Sequence, residues 1–359
     1  MPALGVSMVD FPQRHSADPR GLGGVPARRA IGVWLLACCA LVFTLVLIGG
    51  VTRLTHSGLS IVEWQPIVGT LPPLNQTQWQ EAFANYRETP QFRLRNHSMT
   101  LAGFKEIFWW EYIHRLLGRL VGVAFLVPFV YFLMRRAIRG ALAWKLGAIF
   151  ILGAVQGAVG WFMVQSGLID DPRVSPVRLG AHLGIAFVIY GAMLWIALEQ
   201  LLPAPRTTAA LLRGLTSTLV ALVFVTAISG ALVAGIRAGS AYNTFPLMDG
   251  HWVPPEILMI EPWWNNFFFN MATVQFDHRL FALAIALGVA VLWVLVRRQT
   301  DSDRRTRLWA NVLATAVLFQ IAAGIATLLL RVPLPLATLH QAGALAVFTC
   351  ALGLRHALR

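Results

Sequence analysis

Long apolar stretches alternate with polar segments along the chain, and eight of them have about the 20 residues that a helix needs to cross a hydrocarbon core. A proline-containing segment over residues 201–206 separates the first four stretches from the last four. The stretches cover residues 31–51, 115–134, 146–166, 179–201, 211–233, 279–297, 308–330 and 336–355. This pattern predicts an all-α polytopic membrane protein with eight transmembrane helices.

The two sets of four stretches define the expected domain organisation. We expect an N-terminal four-helix bundle over residues 31–205 and a C-terminal four-helix bundle over residues 206–359. Residues 1–30 are polar and rich in Gly, Pro and Arg, which favours a disordered cytoplasmic tail. A content of 57% hydrophobic and only 13% charged residues fits membrane proteins better than soluble domains.

Basic residues cluster at the ends of helices that would lie on one side of the membrane. The clusters are Arg135, Arg136, Arg139 and Lys145, and then Arg297, Arg298, Arg304, Arg305 and Arg307. By the positive-inside rule this side is cytoplasmic, so both termini are cytoplasmic and the long loops 52–113 and 234–277 face outward. The net charge of +13 therefore reflects topology, and we expect no nucleic-acid partner.

The second half of the sequence repeats features of the first. The stretch 111–116 aligns with 275–280 at an offset of 164 residues, and Gln156 and Gly160 recur as Gln320 and Gly324 at the same offset. Such self-similarity indicates a tandem duplication. We therefore expect two pseudo-symmetric bundles, packed side by side around an axis along the membrane normal.

Two histidines recur in each half, at the start of every second apolar stretch. They are His114, His182, His278 and His340. The predicted topology places all four in the outer leaflet, where an isolated ionisable ring is costly. Zinc sites usually need four protein ligands, whereas haem iron needs only two imidazoles. The pairs therefore favour haem, and Gly180, Gly184 and Gly343 are expected to let a flat macrocycle approach the backbone.

The residues beside the histidines differ between the halves. Arg115 and Arg279 each follow a histidine and could either pair with a haem propionate or anchor the helix at the interface. Glu111 lies one helical turn before His114, whereas its counterpart Gln275 cannot ionise. This difference indicates chemistry in the first half only; the alternative is that Glu111 is a solvated residue at a helix start.

Three motifs carry a resemblance to a known family. They are GGVTRLTHSGLSIVEWQP at 49–66, FKEIFWWEYIHR at 104–115 and GSAYNTFPLMDG at 239–250. Together with the histidine pattern they resemble the haem A synthase family of cytochrome oxidase assembly, over roughly residues 31–356. The resemblance implies oxidation of the C8 methyl group of haem O to a formyl group by successive hydroxylations, which yields haem A.

The same resemblance implies a division of labour. His278 and His340 would bind a resident haem B, and His114, His182 and Glu111 would form the catalytic site for haem O. It also implies a bacterial inner membrane, or a mitochondrial one in a eukaryote, with haem sites toward the periplasmic side. Implied partners are haem O, haem A, lipid, haem O synthase, oxidase assembly factors and an unidentified electron donor, and a homo-oligomer is compatible with it.

Other residues refine the resemblance. The chain has only Cys38, Cys39 and Cys350, all within apolar stretches, so it resembles the subgroup without cysteine pairs in the outer loops. The unrepeated loop histidines at 56, 97 and 251 are expected to be solvated or structural, with ligand exchange as the alternative.

Two functions of other classes remain open. A dihaem b-type electron-transfer cytochrome would explain four histidines but not a carboxylate beside one pair only. A transporter built from repeats would need broken helices or charges at the membrane midplane, and the apolar stretches contain neither.

Overall fold

The computed structural model describes residues 25–63, 68–203, 210–299 and 302–359. Within these ranges the chain forms eleven α-helices and three short 3-10 turns. The helices are α1 Val25–Leu54, α2 Gln76–Arg87, α3 Pro90–Leu94, α4 Leu101–Met134, α5 Gly140–Gln165, α6 Pro176–Leu201, α7 Ala210–Gly235, α8 Asn266–Phe269, α9 Met271–Arg298, α10 Arg304–Leu329 and α11 Leu334–Ala357.

Eight of these helices are long and apolar enough to cross a membrane, which confirms the predicted class and number of spans. They are α1, α4, α5, α6, α7, α9, α10 and α11. Most of the predicted tail, residues 1–24, and residues 64–66 of the first motif lie outside the described residues. Residues 25–30, which we expected in the tail, are helical and belong to α1.

Two spanning helices begin well before their apolar stretches. Helix α4 starts at Leu101 rather than near residue 115, and α9 starts at Met271 rather than near 279. Polar side chains lower the hydropathy of these first turns but do not interrupt the helix, since Thr100 and Asn270 cap the free amides. At about 1.5 Å per residue, α4 is about 50 Å long and extends beyond a hydrocarbon core of about 30 Å.

The centre of the molecule is formed by α1, α6, α7 and α11, which join the two halves. Helices α1 and α6 belong to the first half, and α7 and α11 to the second. Across the joint, the rings of Phe187 and Phe348 lie 5.2 Å apart and the hydroxyls of Tyr190 and Thr349 lie 2.8 Å apart. The halves therefore share one apolar core.

The three cysteines are free and buried within this core. Cys38 and Cys39 lie in α1 and Cys350 lies in α11. They are packing residues.

A second, smaller core lies on the side of the membrane where α4 begins. The amphipathic helix α2 packs Trp79 and Tyr86 against Phe104, Phe108 and Tyr112 of the first turns of α4. Trp79 meets Phe108 edge to face at 4.9 Å. This aromatic cluster explains why α4 continues as a helix outside the apolar stretch, because one face of its extension is buried.

Candidate functional site: paired histidines and a buried carboxylate

The four repeated histidines lie in four helices that run in the same direction. His114 is in α4, His182 in α6, His278 in α9 and His340 in α11. All four are partly buried. In the second half the rings of His278 and His340 lie 6.4 Å apart, centre to centre, with their planes at 80°. In the first half His114 and His182 are also electrostatic neighbours.

A glycine on the preceding helix of the same half faces each imidazole ring. A Cβ atom at that glycine would lie between 2.7 and 3.2 Å from the ring Cε1 atom, too close for a carbon–carbon contact. The pairs are Gly49 with His114, Gly160 with His182, Gly230 with His278 and Gly324 with His340. Glycine is needed at these four positions because a side chain there would collide with the imidazole ring. The same arrangement occurs in both halves.

The side-chain amides of Gln156 and Gln320 donate to the carbonyl oxygens of His182 and His340, at 2.9 Å in both cases. The repeated Gln and Gly of the sequence thus support the two fourth-helix histidines.

The second histidine pair fits haem iron. An imidazole nitrogen binds a first-row metal at about 2 Å, and the ring centre lies about 1 Å further back, so a metal held between two imidazoles separates the ring centres by about 6 Å. The separation of His278 and His340 agrees with this value. The described ranges contain no group of three or more His, Cys, Asp or Glu side chains that could hold a metal ion.

The glycines that we expected beside the macrocycle have other neighbours. Gly180 and Gly184 of α6 face Ile228 and other apolar side chains of α7, and Gly343 faces the side chain of Gln320. For Gly180 and Gly184 that expectation is wrong, because they face a neighbouring helix; Gly343 leaves room for the glutamine that bonds the His340 carbonyl. Gly49 and Gly230, which sequence reasoning missed, contact the rings instead; they are 181 residues apart rather than 164, so the repeat offset did not identify them.

Glu111 is buried rather than solvated. The residue is 3% exposed and lies in the eleventh position of α4, so the alternative of a solvated helix start is wrong. Its Oε2 atom accepts hydrogen bonds from the Ser60 amide at 2.7 Å, the Ser60 hydroxyl at 2.7 Å and the Ile61 amide at 2.9 Å. Its Oε1 atom accepts two from Arg115, at 2.6 and 3.1 Å. Both oxygens act only as acceptors, the role of an ionised carboxyl group.

Arg115 completes this contact between α4 and the loop after α1. Besides Glu111, its guanidinium donates to the carbonyl oxygens of Ile61 at 2.8 Å and Glu63 at 3.1 Å. One turn of α4 therefore carries the histidine and also holds the loop over residues 60–63.

The second half has the same arrangement without the carboxylate. The amide of Gln275 donates to the carbonyl of Tyr242 at 3.2 Å. Arg279 donates to the carbonyls of Tyr242, Thr244, Pro246 and Leu247 at 3.0 to 3.3 Å. The motif at 239–250 is thus fixed to α9 by hydrogen bonds to neutral carbonyls, whereas the first half uses an ion pair.

One further difference separates the halves. The hydroxyl oxygen of Ser229 lies 2.8 Å from Nδ1 of His278. The Nδ1 atoms of His114, His182 and His340 are buried and have no side-chain hydrogen-bond partner. A single serine in an apolar helix gave no signal in the sequence.

The loop histidines lie away from these pairs. His97 is exposed, and Nδ1 of His251 bonds the carbonyl of Asp249. His56 contacts Arg237 at 3.4 Å. Burial, followed by the charges of Arg237, Arg95 and Arg53, lowers the pKa of His56 below 6.5. These positions agree with the expectation of solvated or structural residues.

Comparison with known proteins supports one family over nearly the whole chain. The family profile described as cytochrome oxidase assembly protein matches residues 32–352. A haem A synthase of Nitrosospira multiformis is 57% identical over 336 residues, which cover 92% of this chain and 94% of the relative. Haem A synthases of Nitrosomonas eutropha and Rhodospirillum centenum are 52% and 47% identical, covering 90% and 100% of this chain and 92% and 94% of their own lengths.

Proposed function

The chain belongs to the family of cytochrome oxidase assembly proteins, and we propose that within it the protein is a haem A synthase, a membrane oxidoreductase that converts haem O to haem A. The observation that carries the proposal is the pair of histidines in each half, each ring against a glycine, with an ionised carboxylate beside one pair only. The relatives' names agree with it.

The reaction that we propose is oxidation of the C8 methyl group of haem O to a formyl group: two successive hydroxylations give a geminal diol that loses water, and an oxidant from outside the chain takes up the four electrons removed overall. We assign the first half to the substrate. His114 and His182 bind the iron of haem O, and Gly49 and Gly160 keep the two rings in place. The close approach between rings and glycines restricts the tilt of each imidazole, which orients the substrate relative to Glu111.

Glu111 acts in this proposal as a fixed negative charge. Its position one turn before His114 places it near the substrate, where an anion stabilises positive charge that develops on the methyl carbon. A role as proton acceptor is less compatible with its contacts, because protonation would oppose five donated hydrogen bonds. Of these two roles, stabilisation of positive charge and acceptance of a proton, we therefore favour the first.

The second half is assigned to a resident haem B, held by His278 and His340. When bound, this haem supplies one-electron transfer between an external donor and the substrate side. The chain's own contribution is to keep the two imidazoles at a fixed separation of 6.4 Å and to hold the motif at 239–250 over them through Arg279.

Arg115 and Arg279 contribute to both sites through the loops that they hold. The donors of Arg115 are directed at Glu111 and at backbone carbonyls, and those of Arg279 at backbone carbonyls. We propose that each arginine fixes an outer loop beside its haem site. A contact with a haem propionate would be additional to these bonds.

The location follows from the eight spanning helices and the charge pattern. We propose a multi-pass protein of the bacterial inner membrane, with both termini cytoplasmic and both haem sites toward the periplasmic side. Haem O reaches it from a haem O synthase, and haem A leaves it for oxidase assembly.

The test is identification of the haems in protein purified from cells that make haem O. Acid extraction and chromatography should recover haem B together with haem O and haem A. The substitutions His114→Ala and His278→Ala should remove haem O or haem A and haem B, respectively. Haem B alone, at two per chain, would refute the synthase and leave a dihaem electron carrier.

A further inference from the structure

Ser229 occupies a distinctive position beside the second histidine pair. It lies in α7, directly before Gly230, and is 7% exposed. Its hydroxyl oxygen is 2.8 Å from the backbone carbonyl oxygen of Thr226 and 2.8 Å from Nδ1 of His278. One buried oxygen therefore joins the helix backbone to the imidazole.

These two contacts determine where the protons lie. A carbonyl oxygen can only accept, so the single hydroxyl proton of Ser229 is directed at Thr226. When Ser229 donates to Thr226, its oxygen offers a lone pair toward His278 and Nδ1 donates. The remaining nitrogen, Nε2, is left without a proton and is free to bind a metal. The arrangement selects the tautomer that a haem ligand requires.

The other three histidines lack this contact. The residues that directly precede their glycines are Ile48, Val159 and Ala323, none of which has a hydroxyl group. Ile48 is the counterpart of Ser229 in the repeat, because Gly49 faces His114 as Gly230 faces His278. The difference therefore separates the proposed resident site from the proposed substrate site.

We propose that Ser229 is a positioning residue that fixes His278 as a permanent axial ligand of the resident haem, while Ile48 leaves His114 free to release its haem. The proposal rests on the function proposed above. A hydrogen bond accepted from Nδ1 orients a ligating imidazole and increases its basicity, which strengthens its bond to iron. A resident cofactor benefits from a strong bond, whereas a substrate that must leave as product requires a weaker one.

The experiment compares Ser229→Ala, Ser229→Thr and His278→Ala with the unaltered protein, purified as the full chain with its haem. The readouts are the midpoint potential of haem B, its low-spin electron paramagnetic resonance spectrum and its rate of transfer to apomyoglobin. We expect Ser229→Ala to raise the midpoint potential, alter the spectrum and accelerate haem loss by about 10- to 100-fold, the usual effect of removing such a partner. Ser229→Thr keeps a hydroxyl group and should restore all three properties.

The outcomes distinguish this inference from the proposed function. If His278→Ala removes haem B but Ser229→Ala leaves potential, spectrum and haem loss unchanged, the role of Ser229 is refuted and the function stands. If His278→Ala leaves the haem B content unchanged, the assignment of the resident haem fails and the role of Ser229 fails with it. Loss of haem in both serine variants would show that the hydroxyl group is not the determining feature.

Discussion

The substitution Glu111→Gln tests how the first histidine pair is connected to its outer loop. Glutamine has nearly the same shape as glutamate but offers one oxygen and one NH2 group. Whichever way the amide is turned, its NH2 group faces donors, either Arg115 or the amides of Ser60 and Ile61. At least two of the five hydrogen bonds are therefore lost.

The magnitude follows from the kind of contact that is lost. A hydrogen bond to a charged group contributes about 1.5–3 kcal/mol, so two lost bonds correspond to about 3–6 kcal/mol. Because Arg115 keeps 20% of its side chain exposed, water compensates in part, and we take the lower end. A loss of about 3 kcal/mol raises the equilibrium constant for local opening of the loop about 100-fold, since about 1.4 kcal/mol corresponds to a factor of ten.

The assay is amide hydrogen exchange of the full protein in nanodiscs. The amides of Ser60 and Ile61 lie in the loop that Glu111 and Arg115 hold, so they report opening of this loop whichever way the Gln amide is turned. Both should exchange about 100-fold faster in Glu111→Gln, and haem A formation should fall. Glu106→Gln is the matched control, because Glu106 lies in the same helix but is exposed. Unchanged exchange at residues 60 and 61 in Glu111→Gln would refute the reasoning.

Three further perturbations test other parts of the structure. Gly160→Ala would place a Cβ atom 2.8 Å from the ring of His182 and should remove haem from the first half. The control Gly157→Ala, whose Cβ atom would have no atom within 4 Å, should keep that haem. Equal haem content per chain in the two variants would contradict the glycine contacts. Because the pKa of His56 is lowered below 6.5, its contribution to stability is present at neutral pH and is lost as the pH falls through 6.5, so His56→Gln should flatten the decline of the unfolding temperature between about pH 7 and 5; a decline that matches that of the unaltered protein would exclude this role. Gln341→Leu removes the 2.7 Å hydrogen bond to the Val46 carbonyl and should lower the free energy of unfolding, measured by detergent titration, by about 1 kcal/mol. An unaltered titration midpoint would show that this bond between the halves does not contribute to stability.

The sequence predicted those features that depend on local composition. Apolar length predicted eight spanning helices, and the offset of 164 residues identified Gln156, Gly160, Gln320 and Gly324, all of which contact the fourth-helix histidines or their backbone. The starts of α4 and α9 were misplaced because hydropathy reports burial in lipid, and the first turns of α4 are buried against α2 instead.

Contacts between distant segments were beyond sequence reasoning. Glu111 and Ser60 are 51 residues apart, and neither residue type indicates that they meet. The same holds for Ser229 and His278, whose contact depends on how α7 is rotated against α9. Glycines that face a neighbouring helix and glycines that face a ring look alike in a sequence, which is why Gly180 and Gly184 were assigned to the wrong surface.

The contact between α1 and α11 bears on how the protein matures in the membrane. Gln341 of α11 bonds the Val46 carbonyl of α1 and lies against Gly50, while the adjacent Gly49 faces His114. Among the eight spanning helices described, α1 is synthesised first and α11 last. The face of α1 that bears Gly50 therefore stays uncovered until α11 has been synthesised. The contact between the two halves at α1 and α11 is therefore completed only after α11 has been inserted.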